Sequence, residues 1–97
     1  MDRQKQIEMI CDEVKELLVA KNKAYGDAAL SPLNVFSNLS AREGIMVRLD
    51  DKLKRIQNKG LNSDTEDTLL DVIGYLVLLR VSMMDAQPKE NPLIDWA

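Results

Sequence analysis

A chain of 97 residues with net charge −3, 45% apolar and 30% charged, describes one small globular domain and excludes a disordered segment. One cysteine, Cys11, and no histidine exclude an internal disulfide and a Cys/His zinc site. Any general base is then a carboxylate or a metal-bound hydroxide. The interspersed charges argue against general DNA or RNA binding, although a local basic cluster still suits one nucleotide.

In chain order, an amphipathic helix is expected from about Asp2 to Ala20, with Ile7, Ile10, Cys11, Val14, Leu17 and Leu18 as its apolar stripe. Cys11 on that stripe predicts a packing role. Glu8, Asp12 and Lys15 point away from it, with Glu13 and Glu16 on its flanks. From Lys21 to Ser40 the helical period stops and a long ordered loop is expected. Gly26-Asp27 and Ser31-Pro32 mark turns within it, while Leu30, Leu33, Val35, Phe36 and Leu39 predict that it packs back onto the helices. Its lysines, Lys21 and Lys23, suit an anion, and Tyr25 suits either a base or the core.

Ser40-Ala41-Arg42-Glu43 matches a capping box and starts a second helix running to about Asn58. Its core stripe is Ile45, Met46, Leu49, Leu53 and Ile56. Arg48, Asp51, Lys52 and Arg55 share one side of this helix, at spacings of three, four and seven from Arg48. Three cations around one carboxylate suit phosphate oxygens, but taken alone the cluster is better read as ordinary salt bridges on an exposed face. Gly60 ends the helix, and Ser63-Asp64-Thr65-Glu66 offers a second capping box.

The third helix, Thr65 to about Asp85, is apolar on almost every side, yet carries Asp67 and Asp71 on one face. An unpaired buried carboxylate is costly, so Asp71 needs a cation. Two outcomes satisfy it. Either Asp71 pairs with Arg48 or Arg55 as a polar lock between helices, or Asp51, Asp67 and Asp71 converge on Mg2+, which favours carboxylate oxygens and substrate phosphates. The apolar run after Asp71, broken by Gly74 and ended by Arg80, is too short for a membrane span. The expected architecture is all-α: residues 1–86 form an antiparallel bundle of three main helices, completed by oligomerisation. Residues 87–97, Pro-interrupted with Leu93, Ile94 and Trp96, form an extended tail that docks on its own domain or a neighbouring subunit.

Three strings carry a family resemblance: Lys21-Asn-Lys-Ala-Tyr25-Gly26-Asp27, then Arg48-Leu-Asp-Asp51-Lys52-Leu-Lys-Arg55, then Asp67-Thr68-Leu-Leu-Asp71-Val-Ile-Gly74-Tyr75. Between Lys21 and Arg80 the chain resembles the nucleotide-modification-associated domain family of phages and bacteria. That family is itself distantly similar to the all-α, MazG-like nucleoside triphosphate pyrophosphohydrolases. The MazG-like enzymes hold Mg2+ on a Glu-Glu-x-x-Glu helix and a Glu-x-x-Asp helix. Here the first motif is absent, Asp71 matches the aspartate of the second, and Thr68 stands where its glutamate is expected, with Asp67 one residue earlier.

The resemblance implies a homodimer or higher oligomer that binds a nucleotide and hydrolyses (deoxy)nucleoside triphosphates with Mg2+ or Mn2+. Metal ligands would be Asp51, Asp67, Asp71 and Glu43, with Asp51 and Asp71 catalytic. Lys21, Lys23, Arg48, Lys52 and Arg55 would take phosphate, and Tyr25 and Asn34 the base or sugar. The alternative is a non-catalytic protein that sequesters a nucleotide or cyclic-nucleotide signal against a defence system. With no apolar signal core in the first residues, a cytoplasmic location is expected, that of the host if the chain is phage-encoded.

Overall fold

The computed structural model describes residues 2–84, which carry three α-helices, all in one bundle: α1 (Arg3–Ala24), α2 (Ala41–Lys59) and α3 (Glu66–Met84). A single 3-10 turn, Ser63–Thr65, precedes α3. The expected tail, 87–97, lies outside the described residues, as does the predicted helix end at Asp85. No helix among the described residues is long and apolar enough to cross a membrane.

Helix α1 starts at Asp2, whose carboxylate accepts the Lys5 N–H at 2.8 Å. It runs one turn further than the loss of apolar period predicted, so Lys21, Asn22 and Lys23 are helical rather than part of the loop. The stop comes from the backbone. Gly26 adopts φ +60°, a left-handed conformation that only glycine takes without strain. The turn then lets the Asp27 N–H donate to the Asn22 carbonyl at 3.0 Å, and the Tyr25 N–H reaches Lys21 at 2.9 Å. Asp27 is left-handed as well, and its carboxylate accepts from the Ser31 hydroxyl at 3.3 Å.

The core lies between α2 and α3. Ile45 (1% exposed), Leu49 and Val72 form it, with Leu30, Ile56, Tyr75, Leu78 and Leu79 packed around them. Helix α2 begins at the expected capping box, Ser40 Oγ accepting the Glu43 N–H at 3.1 Å while Glu43 accepts from the Ser40 N–H at 3.4 Å. The turn into α3 is capped one residue earlier than the Ser63/Glu66 pattern predicted. Asn62 Oδ1 accepts the Asp64 N–H at 2.9 Å, and Thr65, fully buried, accepts the Asn62 N–H at 3.0 Å and donates to the Gly60 carbonyl at 2.7 Å. Burial decides the register, because a hydroxyl taken from water must find partners and Thr65 finds two here.

Three packing expectations are corrected. Met46 and Leu53 on α2 are exposed, because the stripe that meets α3 is narrower than the apolar pattern. Leu33, Val35 and Phe36 stand in water, Phe36 completely, and of the five loop residues expected to pack only Leu30 and Leu39 are partly covered. Cys11 is exposed too. The common cause is scale: α1 buries a single side chain, Val14, and so small a bundle has too little interior to cover the rest.

Candidate functional site

Helices α1 and α3 run antiparallel and meet at Gly74. A Cβ there would lie 3.0 Å from Leu18 Cδ2, so the hydrogen is what permits so close an approach. One turn along the crossing, Lys21 follows Leu18 and Asp71 precedes Gly74, which brings these two side chains together. Asp71 Oδ1 accepts from Lys21 Nζ at 3.4 Å. Its other oxygen, Oδ2, faces Lys52 Nζ of α2 at 3.1 Å. One carboxylate from α3 therefore bridges ammonium groups from both neighbouring helices. The basic partners expected for Asp71, Arg48 and Arg55, do not pair with it; the register of α2 on α3 presents Lys52 instead.

These ion pairs line a cavity of about 570 Å3 between the three helices, which Lys21, Arg48, Lys52 and Asp71 border. Such a volume is ordinary for a small-molecule site. Its walls are Val14, Leu17, Leu18 and Leu78, with Tyr25 and Tyr75 as the aromatic members and Asn22 as a neutral polar one. Asp71 and Lys52 are about three-quarters covered (24% and 23% exposed), and Lys21 is half exposed at 47%. Charged side chains in a largely apolar lining suit an amphipathic ligand bearing an anion.

The structure thus gathers Lys21, Tyr25, Arg48, Lys52 and Asp71 of the residues expected at a site. The others lie elsewhere. Lys23 borders a separate, largely apolar cavity of about 510 Å3 between α1 and α3. Arg55, Asp51 and Asp67 are exposed and border neither cavity. Glu43 is engaged in the α2 cap. Asn34, in a left-handed conformation, uses its amide inside the loop, donating to the Leu39 carbonyl at 2.8 Å and accepting from the Ser37 hydroxyl at 3.1 Å. Asn22 and Tyr75 border the cavity without having been singled out for it. Asn22 stands one residue after Lys21, and Tyr75 one after Gly74, so the helix crossing was the signal.

The expected metal ligands Asp51, Asp67, Asp71 and Glu43 do not form one group. Among the described residues no three acidic or cysteine side chains stand close enough to share a metal ion. Asp71, the best-placed carboxylate, has both oxygens facing lysine ammonium groups, which oppose a second cation at the same atoms. The Tyr25-Gly26-Asp27 string also has a structural explanation, since Gly26 and Asp27 terminate α1. No family model matches the chain, and neither a curated protein nor a solved structure matches it.

Proposed function

We propose that the chain binds a nucleotide in the cavity between α1, α2 and α3 without hydrolysing it. Phosphate oxygens sit among Lys21, Arg48 and Lys52, and the base lies along the apolar wall beside Tyr25 and Tyr75. The observation that carries this reading is three cations from two helices in the lining of one largely apolar cavity. Asp71 serves as a positioning residue that holds Lys21 and Lys52 in that lining. The resemblance to nucleotide-modification-associated domains supports the same ligand class from sequence. A sequestering role is preferred to a Mg2+- or Mn2+-dependent pyrophosphohydrolase because no three carboxylates gather to hold a metal among the described residues.

We further propose that a second copy of the chain covers the exposed apolar side chains of α1 and α3. Ile7, Ile10, Leu76 and Val77 are all roughly half exposed, and a partner copy would take that apolar surface from water. Light scattering on the eluting protein should give a mass of twice 11.0 kDa or more.

The binding reading is tested by isothermal titration with the common nucleotides, with and without Mg2+, alongside a pyrophosphate-release assay. Saturable binding that survives a chelator, with no pyrophosphate released, is expected. Metal-dependent turnover would replace sequestration by hydrolysis, and a panel with no binding at all would remove the nucleotide.

A further inference from the structure

The proposed ligand class leaves open how many phosphates the cavity takes, and the side chains around it bear on that count. Resting on the nucleotide-binding reading, we infer that the cavity is charge-matched to one phosphate dianion, so that its ligand is a nucleoside monophosphate and not a triphosphate. Lys21, Arg48 and Lys52 border the cavity together with a single carboxylate, Asp71, which pairs with the two lysines; the lining keeps a surplus of two positive charges. A phosphate monoester carries about −1.5 to −2 at neutral pH, with its second pKa near 6. The two balance. Salt-bridging alone does not account for the arrangement, since neutralising Asp71 needs only one of the three cations.

Every further phosphate would add negative charge with nothing to meet it. The remainder of the wall carries no further cation: Val14, Leu17, Leu18 and Leu78 are apolar and Asn22, Tyr25 and Tyr75 neutral, and placing uncompensated charge against such a surface is unfavourable. The two other cations expected to extend the phosphate site do not border this cavity: Lys23 borders the second one, and Arg55 borders neither. The metal ion that usually neutralises a polyphosphate has no gathered carboxylates to hold it among the described residues.

Asp71 is the counterweight in this arrangement. It aligns two lysines and at the same time subtracts one charge from them, so its removal should shift preference toward longer phosphate chains. The test is isothermal titration of the full chain, in chelator, with the nucleoside, monophosphate, diphosphate and triphosphate of each common base. For the preferred base the monophosphate should bind at least about tenfold tighter than the triphosphate, and the bare nucleoside more weakly than either.

In Asp71→Asn the monophosphate-to-triphosphate ratio should fall about tenfold, the scale of one partly screened charge pair. A melting curve establishes that the variant is folded. Independently of any variant, monophosphate affinity should drop between pH 7.5 and 5.5 as the phosphate takes up its second proton near pH 6, while nucleoside affinity holds. A triphosphate that binds as tightly as the monophosphate overturns the charge match and leaves nucleotide binding standing. So does a flat pH profile, or a folded Asp71→Asn with an unmoved ratio. A panel in which nothing binds overturns both.

Discussion

Helix α3 packs against its two neighbours in different ways. Against α2 it closes a continuous apolar core, Val72 beneath Ile45 and Leu49, with the connecting turn locked by the buried hydroxyl of Thr65. Against α1 it offers Gly74 to Leu18 and Asp71 to Lys21, and α1 in return buries only Val14. The first seam is held by the hydrophobic effect, which is insensitive to small displacements along the helices. The second depends on one close approach and on charges placed within a few ångströms of each other. Stability and ligand recognition therefore reside in different halves of the same bundle: the hairpin holds the fold, and the docking of α1 completes the cavity.

The largest effect expected from breaking that comparison is at Ile45. Ile45→Ala removes the most deeply buried large side chain and should cost about 3 kcal/mol, lowering the melting temperature by more than about 10 °C. A loss below about 1 kcal/mol would show that the core lies elsewhere. Next comes Gly74→Val, which crowds Leu18 and pushes α1 away, costing about 1–2 kcal/mol. Hydrogen exchange should speed up along α1 and stay unchanged in α2. Equal acceleration in both would mean that the two seams open as one unit.

The smallest effect is at Asp71. Its lysine partners are partly exposed, so Asp71→Asn without ligand should cost less than about 1 kcal/mol, and urea melts should show the difference shrinking as salt is raised. A cost of several kcal/mol at Asp71 would recast it as a structural lock.

Much of the hairpin was legible in the residues themselves. Ser40 and Glu43 announced the start of α2, and Gly60 its end, because these signals are local and act through the backbone. The end of α1 was not legible from its apolar period, since Lys21, Asn22 and Lys23 carry no apolar side chain yet continue the helix until Gly26 turns it. The cap of α3 was misplaced by one residue: Ser63/Glu66 matches the capping pattern, whereas the buried Thr65 hydroxyl sets the cap at Asn62.

At the site, the need of Asp71 for a cation followed from its apolar flanks alone. Which cation could not follow, because the choice between Lys52 and Arg48 is made by the rotation of α2 against α3, a quantity no single helix encodes. Leu33, Val35 and Phe36 misled for the opposite reason: apolar character predicts burial only where a surface exists to receive it.

The contact between Leu18 and Gly74 joins residues far apart in the chain, and this bears on how the protein is made. Synthesis delivers α1 first, while the glycine that receives it follows only after α2 and the turn, several seconds later at roughly 5–20 residues per second. The hairpin, whose pairings are local, closes quickly once its second strand of helix emerges. Until then the leucine face of α1 has no partner within its own chain, and the nascent protein spends that interval with its ligand-completing helix exposed.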